Sequence, residues 1–245
     1  MQADHFDQQK LLALAAEDVV LAQLAHRRRT LPELAAVEAA QEAQRTLSDD
    51  VVRAETEVRD LDREQKRLEG DVETVRAREA RDQSRIDAGA TAKEITGLQH
   101  ELESLKRRQS DLEDQVLELM ERRETADAAL ATAQAGLAGA QADQERAEQQ
   151  RDAALAEITE ATTQHQAKRD EIAGTVPDQL LALYDRIAKQ TGTTGAAHLH
   201  ARRCEGCRIE LYGNELATFR NADPHTVLRC ENCGRILIRT ADSGL

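Results

Sequence analysis

Apolar residues recur in this chain at alternating steps of four and three from Leu47 to Ile172. The first run is Leu47, Val51, Ala54, Val58, Leu61, Leu68, Val72, Val75 and Ile86, interrupted only by Gln65, Glu79 and Asp82. The second runs from Ile95 through Leu98, Leu102, Leu105, Leu112, Val116, Leu119, Ala126, Leu130 and Ala133 to Ile158, Ala161 and Ile172. A mean step of 3.5 keeps one narrow apolar seam facing a partner helix, the pattern of a coiled coil. Between the runs, Gly89 is placed to stop one helix, and Thr91 with Glu94 forms a T-x-x-E box to start the next. So short a break folds the second helix back antiparallel on the first. A second helix of about 80 residues would span roughly 115–120 Å.

The composition agrees with long helices. Aromatic residues make up 2%, charged residues 32%, and there is no Trp. The net charge of −13 is uneven, because residues from Ile187 onward carry a formal +2 and the remainder −15. An acidic helical pair repels phosphate backbones along its length, but charge does not exclude nucleic acid at the C-terminal end. No apolar run reaches the ~20 residues that a membrane helix needs. The N-terminal residues lack a basic segment followed by an apolar one, so no secretion signal is read and the expected compartment is the cytoplasm. No nucleophile–base constellation and no pocket-sized core are evident, so no enzymatic activity is expected.

Residues 8–28 read as a first helical segment, with Leu11, Leu14, Leu21 and Leu24 apolar. It ends in His26-Arg27-Arg28-Arg29, read as charge offsetting a helix C-terminus rather than as a nucleic-acid contact. Thr30-Leu31-Pro32-Glu33 then reads as a second capping box that restarts the helix. Counting from the tip places Pro32 opposite residues 144–151, where Gln144 and Arg151 replace the apolar seam. The expectation is that no dry core continues there. Ala126, Ala133, Ala140, Ala147, Ala154 and Ala161 hold one register position. They permit close helix approach, or reflect high helix propensity alone. Thr175-Val176-Pro177-Asp178 repeats the T-x-P-[ED] pattern and opens a short helix to Gln190. Thr191-Gly192-Thr193-Thr194-Gly195 reads as a linker, since it lacks the spacing of a phosphate loop.

The strongest chemical signal is Cys204-Glu205-Gly206-Cys207 followed by Cys230-Glu231-Asn232-Cys233-Gly234. Two C-x-x-C turns about 20 residues apart supply four thiolates for a tetrahedral Zn²⁺. Gly206 and Gly234 suit tight turns whose N–H groups point at the sulfurs. Thr226–Arg229 and Arg235–Arg239 read as strands, and Asn214–Arg220 as a helical turn. A full thiolate shell leaves no open position, so the expected role is structural, ahead of a redox switch or two disulfides. His198 and His200 are read as surface residues. Arg202, Arg203, Arg208, Arg220, Arg229, Arg235 and Arg239 surround Tyr212 and Phe219, a combination that grips single-stranded nucleic acid in some folds. The opposing reading is a solvated surface, because four thiolates and one Zn²⁺ cancel the formal +2.

Leu180–Ile187, Cys204-Glu205-Gly206-Cys207-Arg208, Arg229–Leu237 and Leu98–Lys106 resemble the bacterial C4-type zinc-ribbon, coiled-coil-hairpin family. Nearly the whole chain is covered. The resemblance implies Cys204, Cys207, Cys230 and Cys233 as ligands of one structural Zn²⁺. The family is often described as predicted nucleic-acid-binding zinc-ribbon proteins, and it includes relatives of the flagellar chaperone FlgZ, which binds the sigma factor RpoN and a flagellin messenger RNA. The partner-binding residues of that family are not assigned to positions in this sequence, so RpoN binding is not carried over.

The expectation is therefore a mainly α protein: a long antiparallel coiled-coil helical hairpin followed by a small C-terminal zinc ribbon. Its parts are residues 1–175 (a break near 29–32 and a tip near 87–94), a short helix and joint at 176–199, and the ribbon at 200–245. The expected function is a non-enzymatic adaptor or chaperone-like protein with protein partners, with transcription or RNA regulation as its setting. The alternative is RNA or DNA binding through Arg202, Arg203, Arg208, Arg220, Arg235 and Arg239.

Overall fold

The structure, a computed structural model, describes residues 1–245. Five helices and three short strands follow in the order α1 (His5–Arg29), α2 (Pro32–Asp87), α3 (Ala92–Ala173), α4 (Asp178–Thr191), β1 (Ala196–His200), β2 (Arg203–Cys204), α5 (Gly213–Asn221) and β3 (Ile236–Ile238). The chain divides into two compact units. One is Ala35–Glu148; the other joins Met1–Leu34 to Gln149–Leu245.

Unit Ala35–Glu148 is the paired part of α2 and α3. Leu61, Leu68 and Val72 of α2 pack with Leu112, Leu119 and Ala126 of α3, flanked by Val58, Val75 and Val116. All lie in the expected register. The seam also reaches further back than Leu47, to the buried Val37. Gly136 faces Leu47 across the pair, where a Cβ would make only an ordinary van der Waals contact. Arg76 donates to Glu113 at 2.8 Å, Arg78 to Glu101 and Arg123 to Asp62, three cross-helix pairs that fix an antiparallel arrangement. All three are solvent-exposed and weigh more in register than in stability.

At the tip, Gly89 adopts φ 91°, a left-handed conformation suited to glycine. The Glu94 carboxylate accepts from both the hydroxyl and the amide of Thr91. Those two bonds, the hydroxyl's first, hold Glu94 below the usual carboxylate range. The polar interruptions of the first run are real features of the core. Asp82 is 7% exposed, and its Oδ2 and Glu79 Oε1 find no hydrogen-bond partner in the protein.

The other unit is built around α1, the end of α3, α4 and the sheet. Leu11 and Leu14 of α1, Leu180, Tyr184 and Ile187 of α4, and Ile236 and Ile238 of β3 form one core. Arg169 on α3 donates to Asp18 on α1 at 2.6 Å and to Asp185 on α4 at 3.0 Å. The Tyr184 hydroxyl donates to the other oxygen of Asp18 at 2.6 Å. Burial first, and then the Asp18 carboxylate, push the Tyr184 phenol well above its ordinary range. Gly195 is required here, because a Cβ would fall on the Tyr184 carbonyl. Gln144 and Arg151 turn to neighbours on their own helix, Glu148 and Asp152. Both are half-buried, so no dry apolar seam runs through these positions.

Three expectations need correction. Neither T-x-P-[ED] pattern is a capping box. Thr30 Oγ1 donates back to His26 O at 3.1 Å and Thr175 Oγ1 to Ile172 O at 2.8 Å, so each threonine closes the helix before it. Helix α2 starts on Pro32, whereas Pro177 stands just before α4 as its N-cap residue; in both cases the ring presets φ, and the residue between threonine and proline is a buried plug, Leu31 at 4% and Val176 at 5% exposure. The short helix expected from Asp178 is present as α4 and lies in the core, but the joint does not extend to residue 199: Ala196–His200 is the central strand of the sheet, in the order β2-β1-β3. Thr226–Arg229 is not a strand but carries isolated bridges, Thr226 to Gln2 and Arg229 to Ile236. The bridge to the N-terminal residues is a long-range pairing that no local pattern announces.

Removing the unpartnered core carboxylate should stabilise the unit that contains it. Asp82→Leu is expected to raise the unfolding midpoint in urea by an amount equivalent to about 1–3 kcal/mol. A lowered midpoint would show that Asp82 is compensated in solution.

Candidate metal centre

Each cysteine pair sits on the same local turn. Cys204 N donates to Ile209 O at 3.0 Å and Arg208 N to Cys204 O at 2.7 Å. In the second turn, Cys230 N donates to Arg235 O at 2.9 Å and Gly234 N to Cys230 O at 2.9 Å. The residue after each second cysteine is left-handed: Arg208 at φ 63° and Gly234 at φ 73°. Arg208 therefore holds a conformation that glycine adopts without cost. Against the burial that raises both thiols, the backbone amides of Gly206 and Cys207 act to lower Cys204 and those of Asn232 and Cys233 to lower Cys230, in keeping with turns whose N–H groups point at the sulfurs. Gly206 serves a different purpose from Gly234. Its φ is not left-handed, but a Cβ there would strike Arg235 Cδ and crowd Ala197.

The four sulfurs converge. Cys204 Sγ lies 3.8 Å from Cys233 Sγ and Cys207 Sγ 3.8 Å from Cys230 Sγ, and all four lie within 4.8 Å of one another. A regular tetrahedron with Zn–S near 2.3 Å has edges of about 3.8 Å. A disulfide requires about 2.05 Å, so both pairs are spaced for a metal rather than a bond. The donor set fits one structural Zn²⁺ with all four positions taken by protein. Burial pushes the Cys204 and Cys230 thiols up, which disfavours their charged form without a cation. Burial acts the same way on Cys233, but hydrogen bonds from the Arg235 backbone and side chain and from the Cys230 and Cys204 thiols outweigh it, bringing that thiol to about 7.

Behind the sulfurs, Ala197, Leu199, Leu211, Phe219 and Leu237 complete a small core. Strand β3 divides its residues between two cores. Ile236 and Ile238 face α1 and α4, while Leu237 faces the cysteines. The metal core and the helical core are thus two sides of one three-stranded sheet.

The arginines separate into two groups. Arg239 donates to the carbonyls of Ala222 and Asp223 at 2.9 and 2.7 Å, closing the end of α5. Burial lowers its pKa from the ordinary value. Arg235 binds Thr193 and Thr194, and Arg229 binds Gly234 O at 2.8 Å. These three are bracing residues. Arg202, Arg203, Arg208 and Arg220 remain exposed. Tyr212 is 68% exposed, whereas Phe219, at 3%, belongs to the core behind the sulfurs. Of the two histidines read as surface residues, His200 is exposed, while His198 is half-buried and its Nε2 pairs with Thr240 Oγ1 at 2.7 Å. The sequence reading missed Gln8, which is 3% exposed and ties α1 to the ribbon by donating to Pro224 O at 3.2 Å. A glutamine on the apolar side of an amphipathic segment was the available signal.

These features define a class: a coiled-coil hairpin protein carrying a C4 zinc ribbon. The chain belongs to the CT398-like coiled coil hairpin domain family, which matches residues 14–192, and a C4-type zinc ribbon domain matches residues 203–237. It is 40% identical over 240 residues to Uncharacterized protein Rv2229c of Mycobacterium tuberculosis, covering 98% of each chain. A structure from Mycobacterium smegmatis is similar at a TM-score of 0.87 and 37% identity, covering 98% of this chain and all of that one. The structure of CT398 from Chlamydia trachomatis shares the fold at a TM-score of 0.68 and 19% identity, covering 95% and 97%. No helix is long and apolar enough to cross a membrane.

Two outcomes follow from this geometry. Chelation of the metal, or Cys230→Ser, should raise amide exchange in residues 5–15 of α1 as well as in the ribbon, because β3 supports both cores; exchange confined to 200–240 would contradict this. Arg208→Gly in the metal-loaded protein should raise thermal stability by about 0.5–1 kcal/mol, by relieving the left-handed conformation. A fall in the midpoint would show that the arginine side chain outweighs the strain.

Proposed function

We propose that this protein is a non-enzymatic adaptor that presents a coiled-coil hairpin and a metal-braced ribbon to protein partners. The observation that carries this is the closed four-sulfur centre. Every position of a tetrahedral ion is taken by the chain, so the centre supplies rigidity and no reactive site. Around it, the half-buried Arg235 and Arg239 are engaged internally, and the exposed Arg229 directs its Nε to Gly234 O, which leaves less of the ribbon's arginine charge for an external ligand. The hairpin offers a long solvated face and the ribbon a small rigid one. The compartment consistent with four thiolates held for a metal is the cytoplasm.

A second reading has its own support. Leu211 N donates to Arg202 O at 2.8 Å and Glu210 bridges Arg203, so the exposed Tyr212 follows a segment paired with both arginines, and its hydroxyl donates to the Glu210 carboxylate at 2.8 Å. An exposed aromatic beside arginines suits single-stranded RNA or DNA.

Affinity capture with the full-length chain separates the two. The adaptor reading expects protein partners that survive nuclease treatment, and no salt-dependent shift of single-stranded RNA or DNA. Partners lost with nuclease would favour the second reading. So would nucleic-acid binding that falls steeply with salt and disappears in Arg202→Ala/Arg203→Ala/Arg208→Ala.

A further inference from the structure

Within unit Ala35–Glu148, one face of α3 departs from the rest. Leu117 is 60% exposed and Met120 43% exposed, one helical turn apart. The surface neighbours of Leu117 at three and four residues are Glu113, Asp114, Met120 and Glu121. Glu124 adjoins Met120 in the same way, as does Arg123, which is drawn to Asp62 and Asp127. From Gln109 to Glu121 there are five carboxylates and no Lys or Arg, in a chain where 32% of residues are charged.

Elsewhere on these helices some carboxylates are matched by arginines, as Asp50, Asp60, Asp62, Asp71 and Asp143 are, and others, such as Glu57 and Glu73, are not. Here Glu113 alone is matched, by Arg76. Asp114, Glu121 and Glu124 carry no ion pair within the chain. Like charges clustered on one helix face repel one another, and two large apolar side chains held in water among them gain nothing from folding. Both costs are relieved by one kind of surface, a partner helix with apolar side chains framed by lysine or arginine. Apolar contact then supplies affinity, and the opposite charges supply orientation and association rate.

Resting on the adaptor reading, we infer that the Leu117–Met120 face of α3 is a docking surface for a basic amphipathic helix of a partner protein. The complex would be a local three-helix packing along α3. Its apolar anchors would be Leu117 and Met120, and its charge frame Asp114, Glu121 and Glu124.

The test uses the full-length, metal-loaded chain. The probe is a fluorescent synthetic helical peptide with leucine on one face and lysine and arginine on the other, read by anisotropy; a glutamate-for-lysine version is the counter-probe. The basic peptide should bind and the acidic one should not. Leu117→Ser/Met120→Ser and Asp114→Asn/Glu121→Gln/Glu124→Gln should each weaken binding about tenfold or more. Neutralising three carboxylates elsewhere, by Glu38→Gln/Glu57→Gln/Glu73→Gln, should leave affinity unchanged. Absent binding to the unaltered chain, or equal loss from the control set, overturns the inference. Circular dichroism and an unchanged midpoint confirm that the variants fold. Partner capture separates this surface from the reading it rests on. Partners retained by Leu117→Ser/Met120→Ser would refute the surface and leave the adaptor standing, whereas an unaltered chain that captures no protein would remove both.

Discussion

Strand β3 is the constraint on which the ribbon and the helical base both depend. Three residues serve two interiors: Ile236 and Ile238 close the core of α1 and α4, and Leu237 closes the core behind the sulfurs. Period-two alternation makes this possible, since neighbours on a strand point to opposite faces. A small ribbon alone has too little apolar surface to fold without metal. Here the metal stabilises one face of the sheet, and the leucines of α1 stabilise the other. The arginine braces extend the same logic. Arg239 gathers the carbonyls at the end of α5, and Arg235 ties the second cysteine turn to Thr193 and Thr194 ahead of β1.

Much of the architecture was legible in the sequence because its determinants are periodic or local. The heptad seam names its own partners, and the burial of Leu61, Leu68, Leu112 and Leu119 follows it. Even the polar interruption at Asp82 keeps its register and is buried. The metal centre was legible because C-x-x-C is a local device: two intervening residues fix the turn, and the turn aims the sulfurs. The family resemblance and the four ligands agree with the matched domains.

What was not legible is non-local. Nothing near Ala196–His200 announces that it becomes a central strand, because its pairing with β3 joins residues about 40 positions apart. The same holds for Gln2 against Thr226. The arginines misled for a related reason. Composition counts a side chain as available, whereas its hydrogen bonds decide. Arg239 was a contact candidate by sequence and is a brace by geometry, while Arg202 and Arg208 remain open to solvent.

The two T-x-P corners carry a consequence for how such chains tolerate change. In each, the threonine's bonds belong to the departing helix, and α4 begins with no side-chain cap at all. The arriving helix is aimed by a rigid proline ring and by an aliphatic group pressed into the interior, Leu31 or Val176. Hydroxyl chemistry at these corners is therefore dispensable for direction, and shape is not. Among divergent relatives, drift is expected at Thr30 and Thr175, with bulk and apolarity retained one residue later.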